Sequence, residues 1–486
     1  MPHPSRSLPT RLGLAALLLT TAPMLRAQSA LTPADSALVG RILLAEDARD
    51  SVHPSLAEGV RHRDLRLRQL AVRARARIAD PLFARRDSLQ LPAPVAPPVY
   101  PEVAWRLRYR ALTAQRSNCG ALLAALADSA WPVRLRAMDL MGAPCASDAR
   151  IVPVLQAIIA ATPPMVLARP AGDATWHGGA HALVALARVD TAAAAPHVAR
   201  LATHPQPEMR EYVVRAAALL AHTALLERLA TDQDANVQSA AIDALRPLPL
   251  NAAREALLLA RLEQSAPQVV RSAALALSGS KNPLVHERAS AMYRRWSAFR
   301  NASYRDVRVA LLAAAGRDTS SDSRLPAHVA LPPRAVALAL GADVRVRVTM
   351  APESGGGTFV VRLRGDAAPM MAATVAELAE QQYYDGLTWH RVEHDFVIQG
   401  GSPGANEYVG WHHYLRDELG SVPHVRGTVG MSTRGHDTGD AQWFVNVRDN
   451  LRLNRDYTVF AEVIEGIDII DGILEGDRIQ SMQVLQ

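Results

Sequence analysis

The chain has 486 residues, 53 Lys plus Arg against 47 Asp plus Glu, 49% apolar residues and 5% aromatic ones. That length exceeds one ordinary core and calls for several domains, and the apolar share excludes a wholly disordered chain. The formal charge of +6 falls to 50 basic against 47 acidic residues once residues 1–27 are set aside, too thin and even a surplus for nucleic-acid binding.

Residues 1–27 carry Arg6, Arg11 and Arg26 and no acid, with the apolar run Leu12 to Leu19 between them and small residues after it. This is the order of a secretory signal peptide. The run is too short to span a bilayer, which needs about 20 residues. No later segment has an uncharged apolar run of that length. The expectation is a periplasmic or secreted chain starting near Gln28, with no stable membrane insertion. Export makes Cys119 and Cys145 a candidate disulfide, the alternative being two buried thiols. Two cysteines without a His pair at finger spacing make no structural zinc site.

Residues 28–316 repeat a polar corner, an apolar residue, an Arg and an Ala/Leu-rich helix. Copies run over Asp128 to Met141, Pro205 to Leu219, Asp232 to Leu245, Ser265 to Leu277 and Ser303 to Ala315, with a looser one over Arg63 to Ile78. Val237, Val270 and Val307 are 33 and 37 residues apart, the range of a two-helix repeat. Apolar residues at i, i+3, i+4 and i+7 give each second helix one stripe to bury, which only stacked neighbours can cover. The pattern resembles short bacterial HEAT-like repeats. That resemblance implies an α-solenoid with a surface for protein partners, and no chemistry of its own.

Two Pro-rich stretches, 81–101 and 162–180, read as loops within the array. The second ends in His177 and His181, spaced for one helical face. Gly178 and Gly179 between them weaken a helix, and no Glu stands ready as a base. The reading is a loop leading into a helix from His181 to Val189, not a metal site. Lys281 is the sole lysine, which argues against Schiff-base chemistry.

Residues 317–341 turn polar and then Pro-rich, as a linker does. Over 342–486 the period changes to two. Val344, Val346 and Val348 alternate with Arg345 and Arg347. After the turn Glu353 to Gly357, the residues Phe359, Val361 and Leu363 continue the alternation, giving a hairpin. Pro369 opens a helix to about Gln381. Gly466 to Leu474 reads as a last helix and Arg478 to Leu485 as a last strand. Many short strands with two helices predict a β-barrel capped at its ends.

Four ordered motifs lie in this region: LTWHRVEHDFVIQGG from Leu387, GTVGMS from Gly427, DAQWFVN from Asp440 and YTVFAEV from Tyr457. Together they resemble the cyclophilin family. The resemblance implies an eight-stranded barrel, peptidyl-prolyl cis–trans isomerase activity, no cofactor and no metal, and proline-containing polypeptide clients. It carries the catalytic arginine onto Arg391 and the residue that orients it onto Gln399. It makes Phe396, Val397, Met431, Phe444 and Leu453 the apolar wall around the proline ring, with Thr433 and Gln442 facing the peptide. Tyr457 stands where many members have His. Arg452 falls near a position often held by Trp, which argues against strong cyclosporin inhibition.

The chemistry follows from these residue types. Rotation about an X-Pro bond removes partial double-bond character, against a barrier of about 20 kcal/mol. A guanidinium that donates to the prolyl nitrogen as its lone pair returns binds the twisted amide better than either planar form. Singly, Arg391 is an ordinary strand residue and the two Phe ordinary core; in order and together they read as a site. The fold class is thus multidomain: an all-α HEAT-like solenoid followed by a cyclophilin-like barrel. The competing function is a non-catalytic scaffold that docks proline peptides.

Overall fold

The computed structural model describes residues 31–81, 95–165, 176–322 and 330–485. The segment read as a signal peptide lies outside these residues. Three helices come first, α1 (Pro33–Ala48), α2 (Pro54–Val60) and α3 (Leu65–Ala79). The array follows as α4 (Ala104–Ala114), α5 (Cys119–Ala125), α6 (Trp131–Leu140), α7 (Ile151–Ala160), α8 (His177–Val189), α9 (Thr191–Leu201), α10 (Pro207–Leu219), α11 (Thr223–Leu229), α12 (Ala235–Leu245), α13 (Ala252–Leu262), α14 (Pro267–Leu277), α15 (Pro283–Ala298) and α16 (Arg305–Ala314).

Local chemistry sets the corners. The carboxylates of Asp64 and Asp234 accept from backbone N–H groups at the starts of α3 and α12, and Pro207 and Pro267 occupy the first positions of α10 and α14. The polar residue recurring after the corner has a structural task in four of the copies. Arg68 donates to the carbonyl of His62 at 2.7 Å, Arg210 to that of His204 at 2.7 Å, Gln238 to that of Asp232 at 2.6 Å and Arg308 to that of Asn301 at 3.2 Å. Each side chain satisfies a corner carbonyl that no helix can serve.

The even-numbered helices α4 to α16 stack consecutively into one layer, and the intervening helices pack against it. The apolar core runs continuously from Leu112 to Ala315. Between α12 and α14 the layer is also tied by a buried hydroxyl pair, Ser239 and Ser272, 2.9 Å apart. Cys119 and Cys145 form a disulfide, with Cα atoms 5.5 Å apart across 26 residues of sequence. Reducing it should cost the array about 3 kcal/mol, the value expected for a loop of this order. An unchanged urea midpoint with and without reductant would contradict this.

One expectation needs correction. The helix does not wait for His181; α8 begins at His177 and contains both glycines. A Cβ on Gly179 would lie 1.8 Å from the Thr162 hydroxyl, so the chain after α7 approaches α8 only because that position is bare. Close packing outweighs the weak helix propensity of glycine here.

The short helix α17 (Ala335–Ala339) lies within the stretch read as a linker, with Ala335 and Leu338 buried. The rest of the chain forms β1 (Arg345–Met350), β2 (Thr358–Leu363), α18 (Pro369–Glu380), β3 (Arg391–Val392), β4 (Val397–Gly400), β5 (Thr428–Met431), β6 (Trp443–Asn446), β7 (Val459–Glu465), α19 (Ile467–Asp471) and β8 (Ile479–Leu485). The sheet order is β3-β4-β6-β5-β7-β2-β1-β8, antiparallel throughout. The sheet curls until its two edges meet. Gly386 N–H donates to Ile479 O and Trp389 N–H to Asp477 O, both at 2.8 Å.

The first three helices belong with this sheet. Leu38, Ile42, Leu43, Leu67 and Leu70 share one core with Val346, Phe359, Trp389 and Trp443, separate from the core of the array. The array in turn lies along the barrel. Arg106 donates to the His394 carbonyl at 3.0 Å and to Asp471 at 2.7 Å, Asn236 donates to Gly404 O at 2.9 Å, and Ala302 N–H donates to His412 O at 2.8 Å.

Candidate active site

Strand register builds the site. Arg391 on β3 lies opposite Gln399 on β4, Gln399 opposite Phe444 on β6, and Phe444 opposite Gly430 on β5. These four residues form one row across four strands, on the face away from the barrel core. Opposed residues in an antiparallel sheet project to the same side. Gly430 leaves space that the Phe444 ring fills; a Cβ there would sit 2.4 Å from the ring. Gly430→Ala should therefore push Phe444 out of place and lower turnover of a proline peptide by about 10- to 100-fold with the fold retained. Wild-type turnover in that variant would show that the ring position is not needed.

The row opens into a groove of about 230 Å³ lined by Arg391, Phe396, Val397, Gln399, Thr433, Phe444, Leu453 and Tyr457. Val397, Phe444 and Leu453 form a small apolar cluster of their own, with Phe396 and Tyr457 against it. The Tyr457 ring meets Phe444 edge-on, centroids 5.8 Å apart. Arg391 donates to Gln399 Oε1 at 3.5 Å, and Gln399 Nε2 donates to Gln442 Oε1 at 3.3 Å. Gln442 is itself buried and donates onward to the Val409 carbonyl at 3.3 Å. It holds Gln399 in place and, being buried, is not part of the groove lining where it was expected.

Met431 departs from the expectation more clearly. It is fully buried in the barrel core, opposite Trp443. The period of a strand is two, so with Gly430 under the groove, Met431 must point the other way.

The sequence reading missed His424, Glu407 and Arg434. His424 is buried and stacks on Phe444 at 5.8 Å with 20° between the planes. Its Nδ1 faces the Asn446 amide nitrogen at 3.1 Å, and its Nε2 lies 3.1 Å from the Tyr457 carbonyl. The amide donates to Nδ1, so Nε2 carries the proton and donates to the carbonyl. Burial pulls this imidazole down to about 4, which keeps it neutral behind the ring at ordinary pH. Nothing in the segment around His424 announces this, because its partners come from 22 and 33 residues further on.

Charges ring the groove. Arg391 meets Glu393 at 3.1 Å and Glu407 at 3.5 Å. Arg434, next to Thr433, pairs with Asp440 at 2.9 Å and with Asp306 of α16 at 2.6 Å, so the array holds one wall of the groove. The exposed Arg452 guanidinium lies over the Phe396 ring, 4.2 Å from its centroid.

Residues 346–485 match the family described as cyclophilin type peptidyl-prolyl cis-trans isomerase/CLD. A peptidyl-prolyl cis-trans isomerase of Helicobacter pylori (strain ATCC 700392 / 26695) is 35% identical over 130 residues, which cover 26% of this chain and 80% of that protein. Peptidyl-prolyl cis-trans isomerase B of Bacillus subtilis (strain 168) is 34% identical over 131 residues, covering 26% of this chain and 92% of the relative. With eight curled antiparallel strands, two helices and this match, the chain belongs to the cyclophilin-type peptidyl-prolyl cis–trans isomerase family through its C-terminal domain.

Proposed function

We propose that the protein is an exported prolyl isomerase that assists the folding of polypeptide clients, with Arg391 as its catalytic residue and the helical array offering a surface to clients or partners. The observation that carries the reading is the row Arg391, Gln399, Phe444 and Gly430 at the floor of an apolar groove. A proline ring held against Phe396, Phe444 and Leu453 brings its nitrogen within range of a guanidinium. That guanidinium stabilises the amide most when it is twisted. Gln399 is a positioning residue for Arg391. No bond breaks and no cofactor is needed. Export is supported by the order of residues 1–27 and by the Cys119–Cys145 disulfide, which suits an oxidising compartment.

The competing scaffold reading draws on one feature. Both terminal nitrogens of Arg391 already lie near carboxylates, those of Glu393 and Glu407. Exchange NMR on a proline tetrapeptide with the full chain separates the two. Accelerated cis–trans exchange supports the isomerase; peptide binding without acceleration supports the scaffold. Mass spectrometry of the N-terminus of exported protein tests cleavage near Gln28.

A further inference from the structure

A second cavity, of about 280 Å³, lies where the array meets the barrel, apart from the proline groove. One side is built by Glu208 and Glu211 of α10 and by Asp234, which caps α12. The other side is built by Thr388, Glu475 and Arg478 of the barrel domain. Neither domain makes this cavity alone.

The acidic groups differ in how they are satisfied. Asp234 accepts from the backbone N–H groups of Asn236 and Val237 at 2.8 and 3.1 Å. Glu475 accepts from the Tyr212 hydroxyl at 3.0 Å, and Glu208 accepts from Gln206. Glu211 is half-buried at the cavity wall, and among the described residues its carboxyl accepts no hydrogen bond and forms no ion pair. Thr388 is only 6% exposed, and its hydroxyl also has no partner. A hydroxyl buried as deeply as that of Thr388 is ordinarily satisfied. The imidazole of His390, also in the lining, is pulled down to about 4 by burial and is neutral at ordinary pH, so among the described residues Arg478 is the one cation in the lining.

We propose that this interdomain cavity binds an alkylguanidinium group, carried either by a small free molecule or by an arginine side chain of a polypeptide. A planar guanidinium presents five donors and suits carboxylates arrayed around it. Among the described residues no group of three His, Cys, Asp or Glu side chains is arranged to hold a metal ion. A volume of this size suits a side-chain-sized organic cation rather than a bare one. The site is independent of the isomerase reading, since it uses none of the groove residues.

Its pH dependence follows from what surrounds Glu211. Burial, together with the charges of Glu475, Glu208 and Asp234, raises this carboxyl to about 8 against the opposing pull of Arg215. An empty site therefore holds a proton on Glu211 at pH 7, and an entering cation must displace it. Between pH 7 and pH 9 the ionised fraction rises about tenfold, and affinity should rise with it.

The test is calorimetric titration of the full chain with ethylguanidinium, which stays charged throughout, and with neutral ethylurea of the same shape. Saturable binding of ethylguanidinium, about tenfold tighter at pH 9 than at pH 7, is expected, with none for ethylurea. Glu211→Gln should weaken binding at pH 9 at least tenfold and abolish the pH slope. Glu208→Gln, which keeps Glu211, should retain the slope at lower affinity and serves as the folding control, alongside isomerase activity. Equal affinity for ethylurea, a flat profile in the wild type, or undiminished binding by Glu211→Gln overturns the proposal. A peptide with a single Arg, set against its citrulline counterpart, identifies the source. Binding of the Arg peptide assigns the cavity to a polypeptide side chain; its refusal, with ethylguanidinium bound, assigns it to a free small molecule.

Discussion

Arg391→Ala should lower kcat/KM for a proline peptide by about 10²- to 10³-fold, the loss seen when a preorganised donor to a developing lone pair is removed. Affinity for the peptide should change only a few-fold, because Phe396, Phe444 and Leu453 still line the groove. The fold should persist, since the Arg391 side chain is 37% exposed and its ion pairs with Glu393 and Glu407 are of the surface kind. Exchange NMR gives the rate and peptide titration gives the affinity. A variant that keeps a third of the activity would remove Arg391 from catalysis. Gln399→Ala should fall between the two proteins, because Gln399 holds Arg391 without touching the reacting amide.

The largest stability effect is expected far from the groove, at Arg77. This side chain is 7% exposed and ties α3 to the barrel. It pairs with Glu46 at 2.8 Å and donates to the carbonyls of Leu419 at 2.8 Å, Ala367 at 2.5 Å and Glu418 at 3.1 Å. Arg77→Ala leaves three buried acceptors without this donor and Glu46 with Arg73 alone, 3.3 Å away. Removing one partner from a buried charged network costs about 3–5 kcal/mol. A urea midpoint within error of the wild type would contradict this.

The same network sets an acid response. Burial would raise Glu46, but Arg73 and Arg77 outweigh it and hold the carboxyl below its ordinary 4.5. A depressed carboxylate stabilises the fold above its unfolded value, and that contribution is lost as pH falls through the folded value. With Arg77 gone, Glu46 is held less strongly, so the variant should begin to lose stability at a higher pH than the wild type.

Much of the architecture was legible because it depends on neighbours in sequence. Period-two alternation marked β1 and β2, and Pro369 marked the start of α18. The polar corners marked α10, α12, α14 and α16, with a carboxylate cap at α12 and a Pro at the first turn of α10 and α14. The ordered motifs placed Arg391, Phe396, Gln399 and Phe444 near one another before any strand was paired. Helix capping, strand alternation and turn chemistry act over a few residues, so a linear string carries them.

What the string could not carry is which face meets what. Met431 was expected beside the proline ring and lies in the core, because register, not motif, decides side-chain direction. The copy at Arg63 to Ile78 has the corner chemistry of the array, yet α3 is buried with the barrel, since an amphipathic stripe does not name its partner. His424, the Arg434–Asp306 pair and the cavity around Glu211 all require groups brought together from distant parts of the chain. By itself, then, the sequence determined the local elements and the chemistry of the Arg–Gln–Phe motif. Only the tertiary structure decided the groove's charged rim and the docking of the array, because long-range contacts depend on packing that no local pattern encodes.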